Sequence, residues 1–221
     1  MALSLDFDGP VAVLTWRDGE NRINDDSMGA LHARLDELES RSGPLALVLT
    51  GEGKFFSNGL DLERYGADPA GLGHVLTELH RMEVRLLTFP AYSVAALNGH
   101  TFAGGALLSC AFDYRVMRED RGFWCMNEAD IGLPLDHKLA AILFNRLPRA
   151  TAIEAMLTAR RFTAPAALAA GIVEAVASED AVLERAVERA AAMAEKDRGV
   201  LARHKRIAYG EIAATLGFPL D

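Results

Sequence analysis

The chain of 221 residues has only two cysteines, Cys110 and Cys125, both within apolar stretches. That scarcity excludes a disulfide framework and fits small buried side chains in a reducing compartment. Positive charge is also in short supply. Lys plus Arg number 23 against 31 for Asp plus Glu, giving a net charge of -8 that repels phosphate backbones and anionic lipid surfaces. Nucleic acid and membrane are therefore not expected partners, and a polyanionic ligand would require a local cationic patch. No apolar run approaches the ~20 residues of a membrane helix. The opening residues, Met1 to Asp8, lack a basic region followed by an apolar run, so a signal peptide is not expected and the chain reads as cytoplasmic.

Several common chemistries lack their residues. Gly99 and Gly104 have phosphate-loop spacing, but Gly105-Ala106 follows where Lys-Ser/Thr is required. No serine stands in Gly-x-Ser-x-Gly. His74 and His80 flank Glu78 without metalloprotease spacing, no Cys/His cluster suggests a metal, and these histidines are expected on a solvated helix face.

Half of the residues are hydrophobic, enough for a large core in one globular domain over 1–221, with a core to about 160 and a helical part from about 161. Leu3–Phe7 and Val11–Trp16 flank Asp8-Gly9-Pro10 as a hairpin. A helix beginning near Asp25 or Asp26 presents Met28, Leu31, Leu35 and Leu38. Leu45–Thr50, Ala91–Leu97 and Tyr114–Met117 read as buried strands. They alternate with helices over residues 71–89 and from about Gly104, which predicts an α/β core with parallel pairing. Beyond residue 136 the pattern is helical, with a short strand expected at Gly171–Val176, an amphipathic helix at Ala181–Ala194 and a final helix over 198–215 carrying Arg203, Lys205 and Arg206.

Two stretches carry candidate chemistry. Gly51 to Leu62 follows a buried strand at the end where α/β sheets bind ligands, and its glycines at 51, 53 and 59 let the chain turn so that the Leu60 amide is left unpaired. Asn98 to Leu108 opens a helix whose first N–H groups suit a developing negative charge, with no side chain at Gly104 to block approach.

Together these stretches resemble the paired signatures of the enoyl-CoA hydratase/isomerase (crotonase) family, Phe-Ser-x-Gly-x-Asp-Leu and Asn-Gly-x-x-x-Gly-Gly-Gly. The resemblance continues through Asp113-Tyr114-Arg115 and Phe162 to Val173, nearly the whole chain. One departure is Ala103, at the first of the three glycine positions. The resemblance implies a crotonase-like spiral β/α core with a helical C-terminal region, a homotrimer or dimer of trimers, an acyl-CoA thioester substrate, and no cofactor beyond the coenzyme A of that substrate. It also implies that the amides of Leu60 and Gly104 hold the thioester oxygen, with Ser57, Asn58, Gly59, Asp61, Gly105, Leu107 and Asn127 at the substrate.

Family hydratases use two glutamates, and where one of them stands this chain has Leu107. The other matches Glu128, in Met126-Asn127-Glu128-Ala129-Asp130-Ile131-Gly132-Leu133-Pro134, which is similar to the single-glutamate 3-enoyl-CoA to 2-enoyl-CoA isomerases of plant type. Cys125, Met126, Ala129 and Ile131 are expected to surround Glu128 and raise its pKa toward that of a useful base. One base suffices for a proton shift along the acyl chain, so isomerisation is the expected reaction. Hydration is the alternative, with Asp130 or Asp136 as a second acid; a thioesterase or decarboxylase reaction at the same amides and a noncatalytic acyl-CoA-binding or scaffold role of the same fold also remain open.

Overall fold

The computed structural model describes residues 3–220. The single-domain expectation over 1–221 also takes in Met1, Ala2 and Asp221, which lie outside the described residues. β1 (Leu3–Asp8) and β2 (Val11–Trp16) form the expected antiparallel hairpin. α1 (Asp25–Ser40) starts from a reciprocal cap: the Asn24 side chain accepts from the Ser27 amide, and the Ser27 hydroxyl accepts from the Asn24 amide, both at 3.0 Å. Met28, Leu31, Leu35 and Leu38 are its buried face.

β3 (Ala46–Gly51), β4 (Phe55–Ser57), α2 (Leu62–Tyr65) and α3 (Pro69–Leu87) follow. Next come β5 (Tyr92–Leu97), β6 (His100–Phe102), α4 (Gly104–Cys110), β7 (Tyr114–Arg118), β8 (Trp124–Cys125) and α5 (Glu128–Ile131). The chain continues through α6 (His137–Arg146), α7 (Arg149–Thr158), α8 (Ala164–Ala169), β9 (Ala175–Ala177), α9 (Val182–Ala191) and α10 (Arg198–Leu216).

The main sheet runs β1-β2-β3-β5-β7-β9, and every pairing after the first is parallel. Alternate residues of its strands enter two separate apolar clusters. Val48, Val94, Ala96 and Val116 pack with Val182, Ala186 and Ala190 of α9, while Leu47, Leu49, Ala95 and Leu97 join the larger core with α1, α3 and α4. Burial on both faces explains why these strands read as continuous apolar runs rather than alternating ones. α10 is tied to the sheet by Lys205, whose buried ammonium donates to Asp113 at 2.6 Å and to the Ala91 carbonyl at 2.8 Å.

Three sequence expectations change. A second sheet, β4-β6-β8, was not foreseen, because strands of two or three residues are too short to show periodicity. The strand expected over Gly171–Val176 is β9, displaced to Ala175–Ala177. Gly171, at φ +71°, instead closes α8, with the Ile172 amide donating to the Ala167 carbonyl at 2.8 Å, so buried Ile172 and Val173 belong to the helix terminus. His80 is not on a solvated face: it is 4% exposed, and its Nδ1 lies 3.0 Å from Glu83, itself fully buried. His74 is exposed as expected.

Candidate active site

The two Gly-rich loops meet at the carboxyl ends of β3 and β5. Asn98 joins them, accepting from the Gly51 amide at 2.8 Å and donating to the Gly53 carbonyl at 3.2 Å. Beyond this junction Ile23 pairs with the Leu60 segment as an isolated parallel bridge, the Ile23 amide donating to the Gly59 carbonyl (2.8 Å) and the Asp61 amide to the Ile23 carbonyl (3.0 Å). Because that bridge uses the groups on either side of Leu60, the Leu60 N–H points the opposite way, toward α4.

Gly59 is required where it stands. Its φ is +80°, and a Cβ there would come within 3.0 Å of the Phe102 carbonyl oxygen and 3.1 Å of the Gly104 nitrogen. At Gly104 a Cβ would lie 3.6 Å from the Leu60 nitrogen, so the two amides are neighbours. Ala103 immediately before has φ +48° and ψ -120°, backbone that favours glycine, and it provides no side-chain cap. The departure from the three-glycine pattern is therefore accommodated as local strain, with the turn kept by the Ala103 amide donating to the Cys125 carbonyl at 2.9 Å.

These elements border a cavity of about 500 Å³. Leu60, Gly104, Leu107, Asn58, Asn127 and Glu128 all line it, whereas Ser57, Gly59, Asp61 and Gly105 do not. Those four shape the wall from behind. Ser57 donates to the Asn21 carbonyl at 2.7 Å and accepts from the Gly59 amide at 3.2 Å. Gly105 packs so closely on Ser57 that a Cβ would fall 2.7 Å from it. Asp61 caps α2 and accepts from Arg22 at 3.3 Å.

Glu128 is 6% exposed, and its Oε2 is buried without a hydrogen-bond partner among the described residues. Burial pushes its pKa up to about 7, opposed only by its own backbone amide. The residues expected to create this setting do so only in part. Of Cys125, Met126, Ala129 and Ile131, Ile131 alone lines the cavity; Cys125 donates its thiol to the Ala159 carbonyl and Ala129 is exposed. Successive residues of a short helical turn point in different directions, so sequence neighbours make poor walls. Beside Ile131 and Leu133 of the same turn, the apolar lining comes from Leu107, Leu79 and Leu139 on other segments.

Sequence reading missed Arg22, Leu62, Glu63, Leu72, Leu76 and Leu79 as lining residues. The signal was present for the last three, whose four- and three-residue spacing places them on one face of α3. Asp136 also lines the cavity, with Oδ1 capping α6 through the amides of Lys138 and Leu139, both at 2.9 Å; Asp130 is exposed and does not line it. The arrangement offers two adjacent amides for an oxygen gaining negative charge and one poised carboxyl for a proton.

The enoyl-CoA hydratase/isomerase family pattern matches residues 6–215. The chain belongs to that family. Among curated crotonase relatives, enoyl-CoA delta isomerase 3 of Arabidopsis thaliana is 35% identical over 83% of this chain and 80% of its own length. The peroxisomal enoyl-CoA delta isomerase 2 of the same plant is 34% identical over 90% and 88%. Solved structures of the fold include a probable enoyl-CoA hydratase of Mycobacterium tuberculosis, with a TM-score of 0.92 and 28% identity over 98% of this chain and 92% of the other. The human mitochondrial delta3-delta2-enoyl-CoA isomerase gives a TM-score of 0.90 and 26% identity over 98% and 86%. The protein is thus a crotonase-fold enzyme of enoyl-CoA chemistry, and its relatives carry both isomerase and hydratase names. Among the described residues, no helix is long and apolar enough to cross a membrane.

Proposed function

We propose that this protein is an enoyl-CoA isomerase that converts 3-enoyl-CoA to 2-enoyl-CoA with Glu128 as its single base. The observation that carries this reading is the buried Glu128 carboxyl, its Oε2 without a partner among the described residues, in the same cavity as the adjacent amides of Leu60 and Gly104. Held by those amides, the thioester carbonyl accepts electron density as Glu128 removes a proton from the alpha carbon, forming a dienolate. Each such donor is typically worth ~10²–10³ in rate. Glu128, now protonated, returns the proton to the gamma carbon as the double bond moves from the beta-gamma to the alpha-beta position. The shift is redox-neutral and requires no cofactor.

Leu107 supports isomerisation over hydration. It is 1% exposed and contributes an aliphatic wall where a second carboxylate would hold water. Hydration of 2-enoyl-CoA is the second reading, favoured by Asn127, whose Oδ1 is buried in the same cavity without a partner among the described residues. Incubation with 3-enoyl-CoA and with 2-enoyl-CoA, followed by chromatography, separates the two. Isomer alone supports the proposal, and rapid 3-hydroxyacyl-CoA formation from the 2-enoyl thioester overturns it.

A further inference from the structure

The proton shift fixes how an acyl chain lies in the cavity. Its carbonyl oxygen is at the Leu60 and Gly104 amides, and its alpha and gamma carbons must both come within reach of Glu128, so the tail continues beyond Glu128. The polar lining residues Asn58 and Arg22, which both donate to Glu20 (2.9 and 2.8 Å), are left for the coenzyme A side.

Beyond Glu128 the lining is aliphatic on two walls. α3 supplies Leu79, Leu76 and Leu72, and the segment 131–139 supplies Ile131, Leu135 and Leu139. Exposure rises along both walls with distance from the amides. Leu79 is buried, and a Cβ at Gly104 would lie 3.5 Å from its side chain, whereas Leu76 and Leu72 are half-buried. Glu128 is buried, and Ile131, one turn later on the same face of α5, is 50% exposed. Among the described residues, no Phe, Tyr or Trp lines the cavity, so no ring closes this trough. Asp136 also borders it, with Oδ1 turned into the head of α6 by the Lys138 and Leu139 amides. From Leu79 to Leu72 the α3 wall advances by about 10 Å, a length that an extended acyl chain covers in about eight carbon–carbon bonds.

We propose that this open trough selects 3-enoyl-CoA substrates of medium and long chain, about ten carbons or more, with Ile131 and Leu72 as residues that set the preference. Carbons beyond the gamma position leave water for side chains that are otherwise wetted, and a longer tail passes Leu72 into solvent. Full burial of a methylene is worth about fourfold in affinity, so half-open walls give about twofold. This inference rests on the acyl-CoA reading above and names the substrate class of the same cavity.

The test measures binding of saturated acyl-CoA thioesters of four, six, ten and fourteen carbons by calorimetry, in wild type, Ile131→Asn and Leu72→Asn. Neither position is fully buried, so both variants should fold. In wild type, affinity should rise about twofold per methylene from four to ten carbons, about sixtyfold in all, and then level off. The readout in the variants is a ratio between chain lengths within one protein, so a general loss of binding cancels. Ile131→Asn should lower both the six-to-four and the ten-to-four ratios, and Leu72→Asn the ten-to-four ratio alone, each by about threefold or more. Affinity independent of length beyond four carbons, a fall in affinity with added length, or a ten-to-four ratio unchanged in either variant would overturn the proposal. A length series as expected, without isomerisation of a 3-enoyl-CoA, would sink the isomerase reading alone. Isomerisation with a flat length series would sink this proposal alone.

Discussion

Glu128→Gln should kill turnover and stabilise the protein, and the stabilisation should depend on pH in a direction fixed by the structure. The folded carboxyl titrates at about 7 against an ordinary 4.5, a difference of roughly 2.5 pH units. A raised folded pKa means that the neutral form favours folding. That stability is fully present below 4.5 and is lost as pH rises through 7. At 1.36 kcal/mol per unit the ionised wild type forgoes on the order of 3 kcal/mol at pH 8. Glutamine has nearly the same shape and never ionises, so the variant escapes this loss. For a chain of this size the gain corresponds to a Tm rise of several degrees at pH 8, shrinking toward zero near pH 4.5. In the same preparation kcat should fall by ~10²–10⁴, because the amide cannot accept the alpha proton. Wild-type kcat/KM should itself rise about tenfold per pH unit below 7 and level off above it. The assays are thermal melts at pH 5 and pH 8 and isomerase turnover on the same samples. A variant less stable than wild type at pH 8 would refute the buried-charge account, and one retaining more than a tenth of wild-type turnover would refute the assignment of the base.

Ala103→Gly should not incur the usual ~0.5–1 kcal/mol cost of that exchange and should leave the protein equally or more stable, since φ +48° with ψ -120° strains alanine. Chemical denaturation measures this, and a loss above about 1 kcal/mol would show that Ala103 is not strained. Leu107→Glu, which sets a carboxyl into the same cavity as Glu128, should add measurable water addition to 2-enoyl-CoA, read as 3-hydroxyacyl-CoA by chromatography. Efficient hydration by wild type would remove Leu107 as the reason for its reaction.

The main parallel sheet and most helices were legible because their signals are local: both-face burial leaves unbroken apolar runs at β3 and β5, and the leucine spacing of α1 marks its inner face. The two amide-bearing loops were legible through their glycines. What escaped depends on contacts distant in sequence. β4, β6 and β8 are ordered by one another, so none reads as a strand alone. The walls around Glu128 come from α3, α4 and the segment leading into α6, which its own neighbours do not disclose. His80 was misplaced because its hydrogen-bond partner, Glu83, lets a polar side chain sit inside, a pairing that counting polar residues on a helix does not reveal.

The claim that one buried carboxyl moves one proton along the acyl chain is tested most directly by isotope transfer. A 3-enoyl-CoA deuterated at the alpha carbon is converted in ordinary water, and the product is analysed by mass spectrometry and proton resonance. Glu128, 6% exposed, should carry part of the label to the gamma carbon before solvent exchanges it. Deuterium at the gamma carbon of 2-enoyl-CoA is the predicted result. Complete loss of the abstracted deuterium to water, with a gamma hydrogen drawn wholly from solvent, would contradict direct return of that proton by a shielded Glu128.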